Sequence, residues 1–135
     1  MASSTLIQPT SSRAIGNDLR ALLGSSKVKD DLPTITAYAV DASIYRVSPK
    51  AVVLVESEDD MAETIRYAVS RGIPLTPRAA GTNLTGSAVG AGIILDVSRL
   101  NRILEVNREE QWARVQPGMV LAELNRQLSS HGLMF

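Results

Sequence analysis

Residues 51–76 read AVVLVESEDDMAETIRYAVSRGIPLT, and this stretch decides the fold class. Ala51-Val52-Val53-Leu54-Val55 is short, apolar throughout and β-branched, the composition of a strand buried on both faces. Ser57 followed by Asp60 makes a capping-box pattern, and Glu58, Asp59 and Asp60 complement the positive end of a helix dipole. Met61, Ile65, Ala68 and Val69 supply the expected buried stripe of that helix. Gly72 suits the left-handed position that ends it, and Pro74 bars its continuation. Ile73-Pro74-Leu75-Thr76 follows as a second short strand. Strand, helix and strand in this order predict a parallel, right-handed pair.

Upstream, residues 1–10 read as a loose lead-in. Ile15, Leu19, Leu22 and Leu23 then fall on one helical face, with Ser11 or Ser12 to cap its start and Gly24 to close it. Residues 25–50 carry little periodicity and are expected to be irregular and partly extended. Downstream, a small-residue loop at 77–92 leads into the apolar strand Ile93-Ile94-Leu95-Asp96-Val97. Residues 102–106 and 112–116 predict a hairpin around the charged turn Asn107–Glu110, with Trp112, Arg114 and Gln116 on one face. Leu121, Leu124 and Leu128 mark an amphipathic helix ending near His131-Gly132. Leu133-Met134-Phe135 suits the start of a further strand, and with nothing to pair it the chain is expected to be cut there. The fold class is therefore α/β (α+β): a small sheet with a parallel strand–helix–strand core, flanking helices and a β-hairpin. A helix and lead-in at 1–34 precede the main body at 35–135.

Composition narrows the function classes. The 135 residues suffice for one modest core, and 44% hydrophobic with 21% charged residues fits a globular domain. Lysine plus arginine balances aspartate plus glutamate at 14 each, so no basic stripe argues for nucleic acid. With no cysteine, the chain itself offers no thiolate ligand, disulfide or cysteine nucleophile. No apolar run approaches the ~20 residues needed to cross a bilayer, and the polar opening lacks the pattern of a secretory signal. A cytoplasmic location is expected, with the longer protein peripheral to the inner membrane.

Residues 77–92 read PRAAGTNLTGSAVGAG. Such a stretch buries little apolar area, so core packing does not explain it. Small residues let backbone N–H groups approach a guest closely, and a concave row of them is an anion cradle. Thr82, Asn83, Thr85 and Ser87 add side-chain donors, and Arg78 adds a fixed positive charge. The loop lacks the Gly-Lys-Ser/Thr ending of a P-loop and the Gly-x-Gly-x-x-Gly of a dinucleotide fingerprint. Composition alone leaves two readings open: a diphosphate cradle and a plain surface connection.

Pro77-Arg78-Ala79-Ala80-Gly81-Thr82-Asn83-Leu84-Thr85-Gly86 resembles the pyrophosphate loop of the vanillyl-alcohol oxidase and p-cresol methylhydroxylase flavoprotein superfamily. More narrowly, Asp41 to Arg46, the strand and helix at 52–71, Leu95 to Arg99, Asn101 to Val106 and Val115 to Gly118 are similar to the FAD-linked D-lactate and glycolate dehydrogenases. The resemblance runs in order over about residues 35 to 135. It implies the first half of a two-part FAD-binding domain. Backbone groups of Ala79, Ala80, Gly81, Thr82 and Asn83 would face the phosphates of non-covalent FAD, with Gly86 and Ser87 completing the cradle. Arg78 would balance charge or anchor the loop, and Pro117-Gly118 would lie near the cofactor. Ala79 and Ala80 stand where the family often has glycine, adding two methyls. No histidine sits in the loop to carry a covalent flavin.

The whole protein implied is an oxidoreductase taking a hydride from a small D-2-hydroxy acid such as lactate or glycolate to FAD, and then to another electron acceptor. The nearest branch carries an iron–sulfur cluster in a portion that would lie beyond Phe135. No residue of this chain is expected to be a catalytic acid or base, and none to ligate a metal. His131 lacks neighbours for either role, and Glu58 to Asp60 do not converge on a helix. Asp41 and Arg46 are expected to pair or to order their loop. Two other readings stand beside this one: a phosphate- or nucleotide-binding module without redox chemistry, and a fragment inactive on its own that self-associates through the apolar surface its truncation exposes.

Overall fold

The computed structural model describes residues 11–135; the lead-in at 1–10 lies outside the described residues. Ser12–Leu23 form α1, whose Ser11 cap accepts from the Ala14 amide at 3.3 Å. Val28–Lys29 form β1, Leu32–Tyr38 α2, Ala51–Leu54 β2, Glu58–Arg71 α3, Leu75–Arg78 β3 and Ile93–Asp96 β4. Ile103–Asn107 and Trp112–Val115 are the hairpin strands β5 and β6, and Leu121–Leu128 is α4.

The sheet order is β1-β2-β4-β3, with β1 antiparallel and the other three parallel. The parallel crossover is therefore present, but β2 and β3 do not touch; β4 lies between them. The reason is chemical. All four residues of β4 are buried, whereas β3 carries Pro77, which has no amide to donate and belongs at an edge. Ala51, Val53, Ile93 and Leu95 meet Ile15 and Leu19 of α1 and Tyr67 and Ala68 of α3 in the core. Val52 and Ile94, which alternate to the other face, are also fully buried, as the unbroken apolar run required.

The capping box at Ser57 and Asp60 forms as predicted, and Gly72 ends α3 with φ 62° and ψ 32°. The predicted stripe, however, is rolled. Thr64, Tyr67 and Ala68 face inward, Met61 is partly buried, and Ile65 and Val69 are 40% and 73% exposed. Polar partners drive the roll. Asp60 accepts both contacts from Lys27 Nζ at 2.8 and 2.9 Å, Thr64 donates to the Asp60 carbonyl at 2.7 Å, and Tyr67 donates to Asp18 at 3.0 Å. Spaced at i, i+4 and i+7, these three make one satisfied inward face.

Two further expectations change. Residues 25–50 hold β1 and α2 rather than irregular chain, α2 being started by Asp31, which accepts from the Thr34 amide at 3.0 Å. Leu133 to Phe135 form no strand; Phe135 folds back on α4, its amide donating to Asn125 Oδ1 at 2.8 Å. Arg114 stacks 5.6 Å from the Trp112 ring centroid, so these two share a face of the hairpin.

Candidate functional site

The carboxyl ends of β2, β3 and β4 come together: the Val55 amide donates to the Asp96 carbonyl, and the Val97 amide to the Arg78 carbonyl, both at 2.9 Å. Ligands of open α/β sheets bind outside such ends. The glycine-rich loop leaves β3 here. Its far part runs back down beside β3, where a Cβ at Gly90 would meet Thr76 Oγ1 at 2.1 Å and one at Gly92 the Pro74 carbonyl at 1.9 Å. These two glycines are explained by close packing.

The near part, residues 79–87, is a different matter. Among the described residues, no hydrogen bond engages the backbone N–H groups of Ala79, Ala80, Gly81, Thr82 or Asn83. Gly81 and Gly86 take positive φ, 68° and 77°, while Ala79 and Ala80 do not. The two alanine methyls therefore sit on backbone that L residues adopt freely, and they impose no backbone strain. The Leu84 amide is likewise unengaged, and such a run of amides beside a parallel-sheet edge fits an anionic guest of diphosphate size.

Three interactions hold this run open from beneath. Arg78 Nη1 donates to the Val40 carbonyl at 2.8 Å, to Tyr38 at 3.3 Å and to Ala88 at 3.5 Å, and its guanidinium lies 4.9 Å from the Tyr38 ring centroid. A Cβ at Gly81 would meet that guanidinium at 2.7 Å, so the loop lies directly on it. Asp41 accepts from the Ser43 amide at 2.9 Å, from Asn83 Nδ2 at 3.0 Å and from the Ala88 amide at 3.4 Å. Asn83 Oδ1 in turn accepts from the Ser87 and Thr85 amides at 2.9 and 3.2 Å. The Ser43 hydroxyl, then the other donors, hold the Asp41 carboxyl down to about 2. Last, the Tyr45 ring packs on Gly86, where a Cβ would lie 2.5 Å from it.

Below this, Tyr38 donates its hydroxyl to buried Asp96. Burial first, and the Asp96 hydrogen bond second, push the phenol up to about 12, so it stays a donor at neutral pH. Asp96 also accepts from the Ser98 amide at 2.8 Å.

Of the residues singled out in the sequence, 78 to 87 thus lie together at the carboxyl edge of the sheet, tied by Arg78, Asp41 and Asn83. Ser87 directs its amide inward to Asn83 rather than outward. Gly118 tucks under the chain leaving β4, its amide donating to the Leu100 carbonyl at 2.7 Å, and a Cβ there would meet the Val97 carbonyl at 2.3 Å. Asp41 orders the loop, whereas Arg46 is exposed and bridges Val40. Sequence reasoning passed over Tyr38, Tyr45 and Asp96. Only Asp41 with Ser43 two residues on carried a local signal, that of an Asx turn.

A hollow of about 710 Å³ lies elsewhere, between β6, α4 and the C-terminal residues, lined by Trp112, Val115, Met119, Leu124, Leu128 and Phe135 among others. Its apolar walls offer a diphosphate little, and the loop amides are the better candidate for an anion. No grouping of histidine and carboxylate side chains among the described residues could hold a metal ion, and no described helix is long and apolar enough to cross a membrane.

The model of a family described as "FAD binding domain" matches residues 49–135. The chain is 43% identical over 116 residues to a D-2-hydroxyglutarate dehydrogenase of Pseudomonas putida, an alignment covering 81% of this chain and 11% of that protein. It is 32% identical over 101 residues to the glycolate oxidase subunit GlcD of Bacillus subtilis, covering 73% of this chain and 22% of that one. The chain thus spans a small part of the curated relatives it matches. Among solved structures, p-cresol methylhydroxylase with substrate bound superposes with a TM-score of 0.78 over 90% of this chain and 25% of that one, at 22% identity. That likeness speaks for the fold alone.

Proposed function

The chain belongs to the FAD-binding-domain family, and from that membership we propose that its loop 79–83 holds the diphosphate of non-covalent FAD in a flavin-dependent oxidoreductase. One observation carries the assignment: consecutive amides from Ala79 to Leu84, unengaged within the described residues, at the carboxyl edge of the parallel strands. Ala79, Ala80, Gly81, Thr82 and Asn83 would donate to phosphate oxygens. Arg78 contributes positive charge from beneath the loop, although its fork is bonded to the protein's own carbonyls. When bound, the flavin supplies the hydride acceptor, and the protein supplies binding and orientation.

The whole protein's activity in this reading is oxidation of a small D-2-hydroxy acid, electrons passing on to a separate acceptor. What supports it is the kinship in sequence with proteins named D-2-hydroxyglutarate dehydrogenase and glycolate oxidase subunit.

The test is a titration of the 135-residue chain with FAD, followed by flavin fluorescence, with ADP as competitor. Saturable binding displaced by ADP is expected. Absence of both FAD and ADP binding would overturn the assignment to this loop. For the whole protein, anaerobic bleaching of bound flavin by a D- but not an L-2-hydroxy acid is expected, and bleaching by neither removes the substrate reading.

A further inference from the structure

The amides of 79–83 can receive a ligand only if the loop is already held open, and the groups that hold it lie outside it. Apart from Arg78 at the end of β3, they come from residues 38–46, upstream of the segment that the family model matches. Resting on the cofactor reading above, we infer that Asp41 is a positioning residue for FAD: its carboxylate clamps Asn83 and Ala88 and so presents the diphosphate amides before the ligand arrives.

The geometry is specific. All of the groups bonded to Asp41 are donors: the Ser43 amide and hydroxyl, Asn83 Nδ2 and the Ala88 amide. Only an ionised carboxylate accepts from all of them at once. Fixing Asn83 Nδ2 turns Asn83 Oδ1 toward the Thr85 and Ser87 amides, so one upstream side chain orders both sides of the turn through Gly86. With those amides turned inward, the amides of 79–84 and of Gly86 are the ones left without a partner in this part of the loop. A binding site ordered in advance avoids the entropy of ordering the loop on binding. Asp41 is a negative charge near a proposed anion site, which is unfavourable on electrostatic grounds alone. Its place there makes sense if presentation of the amides outweighs that repulsion. The Ala42 amide, donating to the Gly81 carbonyl at 3.0 Å, ties the same segment to the cradle a second time.

Asp41→Asn replaces one acceptor by a donor in an all-donor environment. The full chain and this variant are compared by amide hydrogen exchange and by FAD and inorganic pyrophosphate titration. Expected are faster exchange at Ser87 and Ala88 by roughly tenfold or more, and weaker FAD and pyrophosphate binding by roughly tenfold, the loss of one charge-assisted contact. Exchange in β2 and β4 is expected to be unchanged. The swapped double variant Asp41→Asn with Asn83→Asp restores a donor–acceptor pair and is expected to recover protection at Ser87, which a merely destabilised fold would not do. Unchanged exchange in Asp41→Asn overturns the clamp even if the parent binds FAD. Lost protection with undiminished, or improved, binding overturns the positioning role. Absence of ligand binding by the parent with the exchange effect intact removes the cofactor reading, and with it the ligand half of this one.

Discussion

Arg78 separates two explanations of the same residue type, and Arg78→Lys tells them apart because it keeps the charge and removes the fork. In the structure the guanidinium donates to three main-chain carbonyls, of which the 2.8 Å bond to Val40 is the strong one, and it stacks on Tyr38. A hydrogen bond to a charged group is worth ~1.5–3 kcal/mol and an exposed cation–π contact ~0.5–1 kcal/mol. The site is half-buried and two of the bonds are long, so the low end applies, about 2 kcal/mol in all. A lysine ammonium reaches one carbonyl at best and cannot stack as a plane. For a domain of this size that loss lowers Tm by about 6–8 °C. Scanning calorimetry of parent and variant reads it, and an FAD titration of both reads the ligand side. If Arg78→Lys melts with the parent, and Arg78→Met melts there too but no longer binds FAD, the side chain meets phosphate directly and the anchoring argument is wrong.

Lys27→Met is expected to lower the urea midpoint, because it strips the cation from a carboxylate that is 7% exposed. Burial raises the Asp60 pKa, but Lys27 and the Glu56 and Ser57 donors outweigh it, and the net shift is downward. The matching stability is therefore complete above the ordinary carboxylate pKa of 3.8 and is lost as pH falls through the lower folded value; in Lys27→Met this acid loss is expected to shrink. Ala80→Gly, toward the residue common in the family, is expected to lower stability by about 0.4–1 kcal/mol, since alanine already fits its negative φ; a raised Tm would show a strained alanine.

The parts legible in advance were those whose signal is local. Ser57, Asp60 and Gly72 fix the ends of α3 through bonds spanning three or four residues, and Ala51 to Val55 announces a doubly buried strand by composition. The roll of α3 was not legible, because it depends on Lys27, 33 residues away in sequence from Asp60. Strand order escaped for a similar reason: helix-linked strands read as neighbours until β4, with four buried residues, claims the middle. α2 has no buried residue, so it made no periodic pattern, although Asp31 and Pro33 marked its start. At the site, the glycine-rich loop stood out at once. Arg78 was legible as its anchor and Asp41 as ordering its own loop, but the reach of Asp41 to Asn83 was not, nor was Tyr38 beneath Arg78, because these contacts span about 40 residues of chain.

The middle place of β4 also dictates when this sheet can exist. β1 and β2 can pair as soon as residue 54 is available, but β3 has no partner until Asp96 has been made. During synthesis α3 and β3 must wait, with the apolar faces of β2 open and β3 unpaired, until the glycine-rich loop has been threaded and β4 inserted. Non-local pairing of this kind is slow, and the unpaired edges are open to aggregation meanwhile. A ribosome-bound chain whose exposed part ends before residue 93 is thus expected to be protease-sensitive throughout β2–β3, and protection is expected to appear in one step once β4 emerges. The loop proposed to receive the cofactor is also the last connection made before the core closes.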